Sequence, residues 1–213
     1  ATMLCFLTTD ASVDAAFLQP ALHAAIDSSF NMVTINGDTS PSDMVVLLAS
    51  GLASTETINA HNGEVFQKAL EEVCLRLAEC IARDGEGATK LIKVIVEGAV
   101  TEVEARKAAR TIASSPLVKS AMHGNDPNWG RVLAALGRSG AKVDERKLTL
   151  YLNGFCVTKQ GQPVPFNKQE VSNSLDNTEI SLKLELNLGT GDATAWGCDL
   201  SEEYVTINSA YTT

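Results

Sequence analysis

Residues 179–188 constrain the fold most strongly. Ile180, Leu182, Leu184, Leu186 and Leu188 alternate without a break against Ser181, Lys183, Glu185 and Asn187. A strict period of two places every apolar side chain on one face of a strand and every polar one on the other. Such a strand belongs to a sheet with one wet face, and its dry face must be covered by other elements. The cover is available, because several stretches carry helical spacing. Val13, Phe17, Ala21, Leu22 and Ile26 keep it over 13–27, with Ser12 as a candidate N-cap. Val65, Phe66, Ala69, Leu70, Val73, Leu77 and Ile81 keep it over 64–83, with Gly85 as the stop. Strands alternating with helices define an α/β or α+β class.

The remaining segments follow the same logic. Residues 3–9, 32–35 and 91–96 read as strands, 44–49 as a strand or the start of a buried helix, and 117–122 as a further strand. A helix over 103–113 ends at Ser115-Pro116, and a short one runs over 128–136. Asn153-Gly154 between two apolar runs marks a hairpin. Residues 167–175 read as a short helix. Residues 200–207 read as a final helix, docked by Leu200, Tyr204 and Ile207, with Asp199 as N-cap and Glu202 three residues on. The boundary between two domains is placed after residue 92, giving 1–92 and 93–213.

Composition narrows the function. The chain has 213 residues, 45% of them apolar, which is enough for a real core. The net charge of −9 without a sizeable basic cluster argues against nucleic acid and anionic membranes as partners. No apolar run approaches the roughly 20 residues that span a bilayer. Five scattered cysteines without a Cys-x-x-Cys pair fit a reducing, cytoplasmic setting better than a disulfide framework. His23, His61 and His123 lie far apart, so no metal-ligand spacing is present and no metal is expected.

The opening, Ala1-Thr2-Met3-Leu4, reads as the product of processing, since neither an initiator Met nor a basic leader precedes the apolar run. A threonine at a free amino terminus can act as a nucleophile with its own α-amine as base. The plainer alternative is an end left by a structural cleavage. Glu86 sits between Gly85 and Gly87, where a backbone can approach a ligand and the acid can bind an amine, or where a helix simply ends. Residues 125–131 are either an anion site or a capped turn with Trp129 packed into the core. Gly189 to Gly197 is too small and flexible for a plain strand edge, and no Gly-Lys-Ser/Thr follows that would make it a phosphate loop.

Taken together, these stretches resemble one family. The opening with Leu7-Thr8-Thr9-Asp10-Ala11, then Asn36-Gly37-Asp38-Thr39-Ser40, the segment Asp84 to Lys90, and Gly124-Asn125-Asp126-Pro127-Asn128-Trp129-Gly130-Arg131 carry the likeness. It continues through Thr194 to Leu200 and Tyr204 to Thr213, so it covers the chain end to end. The family is ornithine acetyltransferase, also called glutamate N-acetyltransferase, and the chain resembles its β chain.

The resemblance implies an αββα sandwich completed by a separate α chain, plus a smaller C-terminal α/β domain. It implies a precursor that cuts itself between Ala1 and Thr2, and an α2β2 heterotetramer. Thr2 matches the family nucleophile; Glu86, Asn208 and Thr213 match its substrate-binding residues. The substrates implied are N-acetylornithine and glutamate, with no cofactor and with acetyl-CoA as a second acetyl donor in some members. The family's oxyanion donors lie on the α chain, so this chain holds half of a site. One departure stands out: Ala1 and Thr2 are both present, and a Thr2 still bonded to Ala1 has no free amine. An aminopeptidase of related fold and a non-catalytic processed subunit are the alternatives.

Overall fold

The computed structural model describes residues 2–53 and 56–210. In chain order the elements are β1 (Leu4–Thr9), α1 (Ala15–Ser28), β2 (Val33–Thr34), β3 (Met44–Ala49), α2 (Glu64–Arg83), β4 (Leu91–Ala99), α3 (Glu102–Ala113), α4 (Pro116–His123) and α5 (Trp129–Gly137). They continue with β5 (Thr149–Leu152), β6 (Phe155–Lys159), β7 (Gln162–Pro163), α6 (Lys168–Ser174), β8 (Glu179–Glu185), β9 (Gly191–Cys198) and α7 (Glu202–Ala210). The mixed α/β class expected from the alternating patterns is the class observed. Two compact units are present: Ala1–Asn31 with Asp38–Ala78, and Met32–Gly37 with Glu79–Thr213. The changeover falls inside α2, whereas the sequence placed a boundary at 92. Residues 84–90 belong with the second unit because their backbone and side chains bond to Asp199 and Ser201 there.

In the first unit β1 and β3 pair in parallel, from Leu4 opposite Met44 to Thr9 opposite Ala49. The intervening chain carries α1, as a parallel connection requires. Asp14, not Ser12, caps α1, accepting the Ala16 amide at 2.9 Å. An Asp directly before the helix reaches the free amides of the first turn better than a Ser two residues earlier. Cys5 and Leu7 turn into the unit, while Leu4 and Phe6 on the opposite face are 58% and 63% exposed. Phe17 meets Phe66 with ring centroids 6.4 Å apart, tying α1 to α2. Cys74 is fully buried, and that burial pushes its thiol up to about 11.

The second unit is built on a seven-stranded sheet in the order β2-β9-β4-β8-β5-β6-β7 among the described residues. β4 lies parallel to β8 and antiparallel to β9. On β8 the predicted alternation holds: Ile180, Leu182 and Leu184 are buried, and Lys183 on the other face pairs with Glu97 at 2.9 Å. α3 packs across β4 and β9 through Ala105, Ala108, Ala109 and Ile112, all fully buried. Small side chains let the helix lie close on the sheet, and Thr101 caps it.

Three expectations fail here. Leu117 to Met122 is not a strand but most of α4, with Pro116 in its first turn. A short apolar run is ambiguous by periodicity, and a proline at a helix start, where its missing N–H costs nothing, decides the matter. Gly189 to Gly197 is largely the inner strand β9, not a loose loop. A Cβ at Gly191 would lie 2.2 Å from the Thr101 carbonyl carbon, so the small residues are there to admit the neighbouring chain. Trp129 is half-buried at the start of α5 and does not sit in the core.

Candidate active site

The second unit brings two of the predicted residues together across 122 positions. Asn208 Nδ2 on α7 donates to Glu86 Oε2 at 2.9 Å and to the Tyr204 carbonyl at 2.9 Å. Glu86 stands on a tight turn closed by the Ala88 amide on the Gly85 carbonyl at 2.9 Å. Gly87 occupies the third position of that turn with φ +66°, where a side chain is strained. It also has no room for one: a Cβ there would stand 2.5 Å from the Tyr204 amide nitrogen of α7. The Ser201 hydroxyl donates to the Gly87 carbonyl at 2.6 Å. The turn and the start of α7 are therefore held close, by the Ser201 side chain on the Gly87 backbone.

α7 is held at its start rather than along an apolar stripe. Val205 is 61% exposed, and no residue of α7 is buried. Ser201 caps it, its oxygen 3.4 Å from the Tyr204 amide. Asp199 does not cap; it points inward and its side chain is fully buried.

Asp199 is the centre of a network that sequence reasoning missed. It accepts the Thr89 amide at 2.8 Å, the Thr89 hydroxyl at 2.6 Å and the Lys90 amide at 2.8 Å. His123 Nδ1 stands 2.7 Å from its Oδ2, while His123 Nε2 is 3.5 Å from Glu202 at the head of α7. Burial alone would raise the Asp199 pKa, but the bonds from Thr89, His123 and the Lys90 amide outweigh it and hold the carboxyl below its ordinary value. Lys90 Nζ donates to the carbonyls of Met122 and Leu175, each at 2.9 Å, and to the Asn125 side chain. Its burial lowers the ammonium pKa. Asn125, with φ +54°, thus serves as a structural turn. Asp, His and Lys more than 30 positions apart leave no spacing signal in one sequence, which is why the network was not foreseen.

Beside it, Lys119 is 2% exposed and its Nζ donates to the Cys198 carbonyl, 3.6 Å from the Cys198 sulfur. Burial lowers the Lys119 pKa and raises that of the Cys198 thiol.

In the first unit, Thr2 is exposed and leads directly into β1. The next residue is held on both sides of its backbone. Met3 N–H donates to Asp43 Oδ1 at 2.9 Å, and the Met3 carbonyl accepts the Met44 amide at 2.9 Å. Ala1 and Thr213 lie outside the described residues. Among the described residues, no cluster of three or more His, Cys, Asp or Glu has the form of a metal site.

This arrangement has counterparts. The chain matches the solved structure of the arginine biosynthesis bifunctional protein ArgJ from Bacillus halodurans with a TM-score of 0.95 at 44% identity, covering 98% of this chain and all of that one. The fold is therefore that of an arginine-biosynthesis protein. Residues 1–213 match the ArgJ family, and the chain belongs to that family. It is 54% identical over 215 residues to the bifunctional ArgJ of Dehalococcoides mccartyi (strain CBDB1), covering 100% of this chain and 53% of that protein. It is 52% identical over 216 residues to that of Symbiobacterium thermophilum, covering 100% and 54%. The chain spans about half the length of the curated relatives it matches. The likeness carried by the opening, the Trp129 motif and the tail thus holds over the whole chain.

Proposed function

We propose that this chain is the nucleophile-bearing half of a cytoplasmic acetyltransferase of arginine biosynthesis. It moves the acetyl group of N-acetylornithine to glutamate. The observation that carries the reading is the Asn208–Glu86 bond, which joins two residues matched to substrate binding from opposite ends of one unit. A carboxylate turned toward an amide donor on a surface-lying helix forms a mixed acid and donor pair, suited to the ammonium and carboxylate of an α-amino acid.

The chemistry assigned to this chain begins at Thr2. Its hydroxyl oxygen attacks the acetyl carbonyl of N-acetylornithine, and the proton passes to the Thr2 α-amine, which a cleavage before Thr2 sets free. The amide C–N bond breaks, ornithine leaves with that proton, and an acetyl ester remains on Thr2. The glutamate amine then attacks the ester, the C–O bond breaks, and N-acetylglutamate departs as the hydroxyl regains its proton. Asp43, through the Met3 amide, keeps the Thr2 peptide in line with β1. Glu86 holds the α-ammonium of the amino acid, and Asn208 with Thr213 holds its carboxylate. The same ester is open to formation from acetyl-CoA, which is the second donor in this reading. No resident cofactor is required.

An α chain from the same precursor is the proposed partner, in an α2β2 assembly. Parallel strands are usually covered on both faces, yet Leu4, Phe6 and Leu48 of β1 and β3 are 58%, 63% and 57% exposed. A two-stranded parallel sheet is too small to stand alone, and the chain spans only about half of its relatives. The test is mass spectrometry of the two-chain protein after incubation with N-acetylornithine. A 42 Da gain, the mass of an acetyl replacing a hydrogen, on the peptide bearing Thr2 supports transfer; an unmodified chain removes it.

A further inference from the structure

We infer that the second unit carries a binding site for a phosphate monoester, in a groove along α3 separate from Glu86 and Asn208. The groove has a volume of about 400 Å³. α3 contributes Arg106, Lys107 and Arg110 to its lining, and Thr34, Gly37 and Ser139 line it as well. The three cations fall at positions i, i+1 and i+4 of the helix, so Arg106 and Arg110 stand one turn apart on one face. Among the described residues no carboxylate lines the groove.

Charge selects the ligand. The chain carries −9 overall, so a cationic concavity is an exception on its surface. A concave wall of one sign concentrates the field and the opposite ion within it. Arg106 is offset by Glu102 at 3.6 Å. Lys107 and Arg110 meet no carboxylate among the described residues. About two positive charges therefore remain, which match the charge of roughly −1.5 to −2 on a phosphate monoester at neutral pH. A carboxylate would balance one of them. The Arg110 guanidinium offers the planar fork that binds two phosphate oxygens, and Lys107 supplies a point charge beside it. Thr34 and Thr111 also line this groove.

Size points the same way. A volume of about 400 Å³ lies in the range of sites for small organic ligands and exceeds what orthophosphate fills. The ligand class is thus the phosphate-bearing end of a nucleotide-sized molecule. The residues of the groove belong neither to the turn at 84–90 nor to α7.

The experiment uses the complete two-chain protein and titrates AMP, orthophosphate and adenosine by calorimetry at low ionic strength. AMP is expected to bind and adenosine not. The Lys107→Gln/Arg110→Gln double variant should weaken AMP at least tenfold. Both side chains are exposed, so its melting temperature and its acetyl transfer from N-acetylornithine should match those of the parent protein. AMP binding more tightly than orthophosphate seats an organic phosphate; equal affinities identify free phosphate as the ligand of the same site. The inference is overturned if neither phosphate-bearing probe binds, if adenosine binds as well as AMP, or if the double variant binds AMP unchanged.

Discussion

Asn208 donates to Glu86 at 2.9 Å, joining a turn that follows α2 to a helix at the far end of the sequence. The bond lies at the surface, where it contributes little to folding, on the order of 1 kcal/mol or less. Its proposed value is in binding. Asn208→Ala should therefore leave the melting temperature within about 2 °C of the parent, while raising KM for both N-acetylornithine and glutamate several-fold. Glu86→Gln, which keeps the shape but loses the charge, should raise both KM values by roughly ten- to a hundredfold. Normal kinetics in both variants would return the pair to a simple helix-end contact.

Gly87 offers a sharper probe, because its replacement acts through backbone alone. An alanine there is strained at φ +66°, and its Cβ would meet the Tyr204 nitrogen at 2.5 Å. The strain costs on the order of 1–3 kcal/mol. α7 must give way, and Asn208 moves with it. Gly87→Ala should raise KM more than Asn208→Ala does while kcat falls less. Equal kinetics in the parent and Gly87→Ala would mean that α7 does not position the site.

Asp199 makes a prediction about pH. Its carboxyl is held below the ordinary value of 3.8 in the folded chain. A depressed carboxyl contributes stability above its unfolded pKa, and that contribution is lost as pH falls through the folded one. Asp199→Asn should destabilise the second unit by on the order of 2–3 kcal/mol near neutrality, since buried donors lose their acceptor. The difference in melting temperature between parent and variant should shrink as pH falls below about 4. A difference that stays constant down to pH 3 would show that the charge on Asp199 is not what the network uses.

Thr2 is the test of the chemistry. Thr2→Ala in the precursor removes the one hydroxyl proposed for both self-cleavage and transfer, so the gel should show a single uncut chain and the mass spectrum no acetyl-enzyme. Thr2→Ser keeps hydroxyl and amine and should retain part of both. Two chains from the Thr2→Ala precursor would remove Thr2 from either role.

Much of the architecture is a local matter, and local matters are legible in a sequence. The alternation at 180–184 is set by which side chains water will accept, and α2 was read at Glu64 to Arg83, the bounds it has. Asn153-Gly154 forms its hairpin because both residues tolerate positive φ, here 44° and 84°. The family motifs at Thr2, Glu86 and Asn208 were likewise readable as words. Tertiary structure decided what no local rule contains. Asp199 turns inward because Thr89, Lys90 and His123 offer it bonds that outweigh its value as a cap, and none of these is near it in sequence. Gly191 to Cys198 became an inner strand because its neighbours in space, not its own composition, determined which backbone could be buried. Burial and hydrogen-bond satisfaction depend on partners brought together by the whole chain, so the elements could be read one by one, while the meeting of Glu86 with Asn208 required the fold.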